Sequence, residues 1–184
     1  MKRILMAGVA AWMAAAVQAQ IVTDGRGYAE LGYSAISVEE NALGHVIKST
    51  PKAVRGVLGY QAYDNLALEV MAATGLGYSD GEATDPAAPG LKFKINSLYG
   101  WYVTPKAMLM DNLEGFVRLG YAHIRGTATL ADGSSSDNEN GFSYGLGMRY
   151  HFDRTTYLNV DYMAYLHKSD VKAKGMTLGV GFKF

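Results

Sequence analysis

The 184 residues contain no cysteine, so neither a disulfide framework nor a thiolate metal site is possible. Stability must come from hydrogen bonding and packing alone. After the first nineteen residues no apolar run approaches the roughly 20 residues that a membrane-spanning helix needs. If the chain resides in a membrane, it must cross as strands. There is no surplus of either charge: Lys plus Arg and Asp plus Glu are both 17, and 17 less Lys2 and Arg3 leaves 15 basic residues against 17 acidic ones. Nucleic acid is therefore not an expected partner. His45, His123, His151 and His167 have no i, i+2 or i, i+4 spacing among them, and Walker, zincin and dinucleotide patterns are missing. No metal site and no cofactor are expected.

What is present begins with MKRILMAGVAAWMAAAVQA, in which Lys2 and Arg3 precede an apolar run and Val17-Gln18-Ala19 offers small residues at the end. This reads as a secretory signal peptide cut after Ala19, leaving residues 20–184 as one domain. Gly is abundant at 22 and Tyr at 13. A barrel wall accounts for both, with Gly on a narrow lumen face and Tyr at the two membrane interfaces.

The last eleven residues, KGMTLGVGFKF, alternate strictly: Met176, Leu178, Val180, Phe182 and Phe184 against Thr177, Gly179, Gly181 and Lys183. The same period-two pattern predicts strands over Arg26–Val38, Ala53–Tyr63, Leu66–Tyr78, Leu91–Val103, Leu113–Thr127, Gly141–Phe152, Thr156–His167 and Lys174–Phe184. Polar stretches at Glu39–Lys52, Ser79–Gly90 and Leu130–Asn140 read as long loops. Asp64-Asn65 and Asp153-Arg154-Thr155 read as short turns, and Thr104–Asn112 as a longer connection with no clear place for Met108-Leu109-Met110. Eight strands, each long enough for a tilted membrane crossing, with connections that mostly alternate long and short, predict a closed all-β antiparallel up-and-down barrel spanning a membrane. The outward aromatics fall at two levels: Tyr78, Phe93, Phe142 and Tyr144 near one end, and Tyr60, Trp101, Phe152, Phe182 and Phe184 near the other. Two such girdles match a bilayer.

On these residues the chain resembles the small eight-stranded outer-membrane barrels: OmpA-type transmembrane domains, OmpX-like and opacity-type proteins of the porin family. Thr177, Gly179, Phe182 and Phe184 match the terminal signal of that class. The resemblance implies recognition by the barrel-assembly machinery, a Gram-negative outer-membrane location, and outer-membrane lipid and lipopolysaccharide as surroundings. A monomer is expected.

The opposite face carries Glu30, Arg55, Glu69, Lys92, Lys94, Glu114, Arg118, Arg149, Asp161 and Lys183. An Arg or Lys facing lipid at mid-membrane would cost about 2–4 kcal/mol, so these charges are expected to face the lumen. An eight-stranded barrel is just wide enough for side chains, and ion pairs that fill it imply a structural or surface-interaction role. An alternative is a low-conductance channel gated by re-pairing of Glu69 and Asp161 with Arg118 and Arg149, which OmpA-like domains make conceivable by resemblance. Near the outer strand ends His123, Arg125, Lys168 and Lys174 point outward, where they could meet lipid A phosphates.

Two motifs raise enzymes. Gly141-Phe142-Ser143-Tyr144-Gly145 fits the G-x-S-x-G elbow, but that motif needs a strand-to-helix turn and here it opens a strand. His167-Lys168-Ser169 resembles the His-x-Ser pair of PagL-type lipid A deacylases, a third reading. The final strand lacks the Glu that orients the His in those enzymes, and only Asp170 is near. A non-enzymatic protein is expected.

Overall fold

The computed structural model describes residues 25–42, 45–80, 82–83, 92–130, 133–167 and 171–184; the expected signal segment lies outside them. Among the described residues are eleven strands: β1 (Gly27–Ala42), β2 (His45–Ser49), β3 (Lys52–Tyr63), β4 (Leu66–Gly75), β5 (Ser79–Asp80), β6 (Glu82–Ala83), β7 (Lys92–Met110), β8 (Leu113–Leu130), β9 (Gly133–His151), β10 (Thr156–His167) and β11 (Val171–Lys183). Eight of them, β1, β3, β4, β7, β8, β9, β10 and β11, follow one another as antiparallel neighbours. β11 then pairs back onto β1, from Tyr28↔Lys183 to Glu40↔Val171, and closes the barrel. Closure satisfies the backbone groups that an open sheet edge would expose to lipid.

One end is finished tightly. Asp64-Asn65, Asp111-Asn112 and the turn before Thr156 link neighbouring strands there, and Gly27 and Phe184 exchange backbone bonds of 3.1 and 2.8 Å at the same end. At the other end two of the three expected loops are mostly paired strand among the described residues, and most of Ser79–Gly90 lies outside them. The stretches expected at Glu39–Lys52 and Leu130–Asn140 are largely continued strand: β1 runs on to pair with β2, and β8 pairs with β9 all the way from Leu113↔Tyr150 to Leu130↔Gly133. Their polarity marks solvent on both faces, which the backbone ladder tolerates. Thr127 there exchanges a hydrogen bond with Ser136 across the hairpin (2.8 Å) and accepts one from Asn96 (2.7 Å). β7, β8 and β9 have 19, 18 and 19 residues, well beyond the roughly 9–11 a bilayer crossing requires, so they project past the membrane.

The segment Thr104–Asn112 is a second correction. It is the lower half of β7, turning at Asp111-Asn112 into β8. Pro105 sits opposite Leu66, where the β4 ladder ends, so its missing N–H interrupts little. Met108, Leu109 and Met110 are exposed on this extension.

The alternation sorts the side chains as a barrel requires. Leu31, Leu68, Val70, Leu119, Leu146, Leu178 and Val180 face out, while Glu30, Glu69, Arg118 and Asp161 face in. Register shifts occur at four places among the described residues, at Gln61/Tyr63, Ile95/Ser97, Met108/Met110 and Ala164/Leu166, and two of them change which residues face in. Between Ile95 and Ser97 the β7–β8 register shifts, which turns Ile95 inward although it was expected to face lipid. Between Ala164 and Leu166 the β10–β11 register shifts, and Leu166 packs inside with Tyr165.

The outward aromatics also rearrange. Trp101 was expected near the tight end because the strand seemed to stop at Val103. With β7 continuing to Met110, Trp101 stacks on Tyr121 (6.3 Å), which meets Phe142 (6.4 Å), which meets Tyr144 (6.1 Å). Trp101 therefore belongs to the upper band. Tyr60, Phe152 and Phe182 are exposed near the tight end, with Phe152 against Tyr150 at 5.5 Å, and Tyr78 is exposed near the far end. The side chain of Phe93 lies outside the described residues.

Candidate functional site

The lumen is stratified. Toward the projecting end it is apolar: Ile36, Val57, Met71, Leu98, Ile124, Met163 and Leu166 form one packed cluster with Tyr102 and Tyr165. Toward the tight end it is ionic. Between the two, three arginines carry almost all the pairing.

Arg118 is completely buried and donates to acids on three strands: Nε to Glu69 at 2.5 Å, Nη1 to Asp161 at 2.8 Å and Nη2 to Glu30 at 2.7 Å. Arg149 donates from Nε to Glu30 at 2.8 Å, from Nη1 to Glu114 at 2.9 Å and from Nη2 to Glu69 at 2.8 Å. Arg55 is bidentate to Asp161 and also reaches the Tyr165 hydroxyl at 3.2 Å. The remaining lone pairs have donors too: Tyr28 gives its O–H to Glu69 (2.5 Å), Tyr157 to Glu30 (3.1 Å) and Asn159 its amide to Asp161 (2.9 Å). Taking charges out of water costs several kcal/mol per ion, and this dense pairing offsets it; Arg55 Nε and Asn159 Oδ1 are buried atoms of the layer that find no partner.

Planar groups stack through the same layer. The Arg118 and Arg149 guanidinium carbons lie 4.6 and 4.3 Å from the centroid of the Phe116 ring, and Arg149 also stands over Tyr28 at 4.9 Å. Glycine opposite each ring makes the room: a Cβ at Gly59 would collide with Tyr28, and one at Gly181 with Tyr157.

Of the ten charges assigned to the lumen from sequence, the structure brings together seven: Glu30, Arg55, Glu69, Glu114, Arg118, Arg149 and Asp161. Three stand apart. Lys94 precedes the inward Ile95, so before the bulge it points the other way, and its Nζ lies over the Tyr78 ring at 5.5 Å; its place in the lumen network is corrected. Lys183 is on the lumen side but makes no ion pair, its Nζ lying 5.9 Å from the Tyr157 ring. The side chain of Lys92 lies outside the described residues. Asp161 pairs with Arg55 and Arg118 and not with Arg149, whereas Glu69 bridges both Arg118 and Arg149.

Lys106 was missed. It is buried and donates to Glu114 and to Gln61, each at 3.1 Å. Reading Thr104–Asn112 as a connection hid its parity. Tyr28, Tyr102, Tyr157 and Tyr165 were missed as lumen residues because Tyr was read as an interface residue; Tyr28 shares parity with Glu30 and Tyr157 with Asp161, which was the available signal.

The other expected residues are placed as follows. Thr177 faces in and exchanges a hydrogen bond with Ser34 at 2.7 Å, Gly179 faces in, and Phe182 faces out. The ring of Phe184 packs over Gly27, where a Cβ would lie 2.5 Å from it. His123 and Arg125 are exposed on β8, and Lys174 on β11 is 3.7 Å from Glu39, which Lys48 also approaches at 3.4 Å. Lys168 and Ser169 lie outside the described residues, and His167 is exposed at the end of β10. Ser143 of the G-x-S-x-G sequence is buried within β9, donating to the Ala164 carbonyl at 3.1 Å and meeting the Tyr102 hydroxyl at 3.0 Å.

Residues 7–184 match the family model of the outer membrane protein beta-barrel domain. Among solved structures, Ail, the attachment invasion locus protein of Yersinia pestis, is 17% identical over 88% of this chain and 100% of its own, with a TM-score of 0.63. Neisserial surface protein A is 16% identical over 88% of this chain and 98% of its own, with a TM-score of 0.64. The outer membrane protein OprG from Pseudomonas aeruginosa is 12% identical over 86% and 97%, with a TM-score of 0.55. At these identities the shared property is the fold. No curated protein sequence matches the chain.

Proposed function

The chain belongs to the outer membrane protein beta-barrel domain family, and from that premise we propose that it is a non-conducting surface barrel of the Gram-negative outer membrane whose projecting strands have an interaction role. The tight end then faces the periplasm and the projecting hairpins face out, as in the barrels it resembles. The observation that carries the reading is the lumen: among the described residues a buried, densely paired ionic layer lies under a packed apolar cluster. Attachment is the role named for Ail, and the extended β8–β9 hairpin is the counterpart surface here. A catalytic role has less support, since the buried Ser143 is engaged with the wall of its own barrel.

The test combines conductance with binding. The refolded mature chain in planar bilayers is expected to give no channel steps, and trimming β8–β9 between Thr127 and Ser136 is expected to abolish attachment to host cells or matrix while the heat-dependent gel shift persists. Discrete steps altered by Glu69→Gln would establish the channel instead. Orientation is read separately: a cysteine at Asn65 (N65C) should label in cells only after the outer membrane is permeabilised.

Lipopolysaccharide is the proposed outer-leaflet partner, supported by the outward His123 and Arg125, both exposed, and the half-buried Lys174 at the strand ends away from the tight turns. Neutralising all three should lower lipopolysaccharide co-purification; no change would end the idea.

A further inference from the structure

Inside the barrel, five cations (Arg55, Lys106, Arg118, Arg149 and Lys183) face four carboxylates (Glu30, Glu69, Glu114 and Asp161). The odd cation is Lys183. It is the one of the five without a carboxylate partner, and it sits at the tight-end mouth beside Tyr157. Next to it His151, with its side chain 11% exposed, has a buried Nε2 with no hydrogen-bond partner. Glu114 acts on Lys183 only from beyond ion-pair distance, and a half-buried ammonium without a close counter-ion is costly to leave alone.

Both residues line a cavity of about 370 Å³ that opens at this end. Its rim supplies Arg154 as a second cation and two acids. Asp153 is already committed, accepting from the Thr155 N–H (2.7 Å), the Thr155 hydroxyl (2.8 Å) and the Thr156 N–H (2.7 Å). Asp111 is not so held. The cavity has apolar groups on both sides of its rim: Met108, 55% exposed, sits opposite Glu114 on the lumen face, and Phe152, 62% exposed, faces out at the end of β9. The arrangement is two cations, one available carboxylate and an apolar path over the rim, from Met108 in the mouth to Phe152 on the outer face.

We propose that this mouth binds the headgroup of one zwitterionic glycerophospholipid from the adjacent leaflet. Lys183 and Arg154 take the phosphodiester, Asp111 takes the headgroup ammonium, and an acyl chain crosses the rim from Met108 to Phe152. Charge-assisted bonds to phosphate are the strong kind, and the ammonium accounts for an acid in a phosphate site. The inference rests on the orientation proposed above only for naming the leaflet as periplasmic, which the N65C labelling decides independently.

The experiment is native mass spectrometry of the full mature chain after refolding into vesicles of mixed ethanolamine and glycerol phospholipids. One retained ethanolamine phospholipid is expected. K183Q should cut retention about tenfold, the effect of one lost charge-assisted contact, and D111N should lower the preference for the ethanolamine over the glycerol lipid. The heat-dependent gel shift of each variant verifies that it has folded, and R154Q supplies the same phosphate reading should K183Q fail that check. Equal retention in wild type and the folded variants would overturn the proposal. Loss of the retained lipid on adding millimolar inorganic phosphate, with no preference between lipids, would identify a soluble phosphate site and overturn the lipid assignment.

Discussion

At the scale of the residue, Glu69 is, with Glu30, one of the two acids that both Arg118 and Arg149 reach. Replacing Glu69 with Gln removes a counter-charge of two buried guanidiniums and leaves the Tyr28 hydroxyl with a weaker acceptor. Breaking a buried pair typically costs about 3–5 kcal/mol, and Glu69→Gln is expected to lower the unfolding free energy by that order in a urea titration in vesicles. Asp153 makes a contrasting case at the surface. Three donors from Thr155 and Thr156 depress its carboxyl to about 2, below the roughly 3.9 of an unstructured Asp. A depressed carboxyl contributes stability that is fully present above the unfolded value and is lost as pH falls through the folded one. The turn should therefore loosen between about pH 4 and pH 2. An NMR titration of the Asp153 carboxyl measures this, and Asp153→Asn should remove the transition.

At the scale of the element, the strands are built around rings that need glycine opposite them. Tyr28 lies over Gly59 across the β1–β3 pair and Tyr157 over Gly181 across β10–β11. Gly59→Ala should destabilise the barrel by about 1–3 kcal/mol through overpacking. Tyr28→Ala in the same chain should relieve much of that cost while Tyr28→Phe should not, since the ring and not the hydroxyl makes the clash; the difference between the two double-mutant cycles measures it. The terminal strand gives a second prediction. Phe184 exchanges both backbone bonds with Gly27 where the barrel closes, so deleting it should slow assembly in cells more than it lowers the equilibrium stability, judged by the folded fraction in outer-membrane extracts against urea unfolding in vesicles.

At the scale of the whole molecule, stratification of the lumen is the consequential property. An ionic layer alone could re-pair and open; an apolar layer alone could be hydrated by one polar substitution. Stacked, they give the proposed non-conducting barrel two independent barriers. Single substitutions in the apolar layer, such as Met163→Ser, are expected to leave planar-bilayer recordings silent. Only a variant that disturbs both layers, Met163→Ser with Glu69→Gln, is expected to give conductance, provided its gel shift reports a folded barrel.

The pattern of strands, their inward and outward faces and the closure into an eight-stave barrel could be read from the chain, because period-two alternation is a local property and a charge facing lipid carries its own penalty. The terminal KGMTLGVGFKF and the turn at Asp64-Asn65 were legible for the same reason. Polar sequence at Glu39–Lys52 and Leu130–Asn140 misled, since polarity reports solvent and not the loss of backbone pairing. The bulges at Ile95 and Leu166 left no mark that alternation could show, and they decided which residues face in. Above all, Arg118 finds its acids 88, 49 and 43 residues away. Which cation meets which carboxylate, and that Lys183 meets none, depends on the tilt and stagger with which eight strands close around so narrow an interior, and only the tertiary structure sets those.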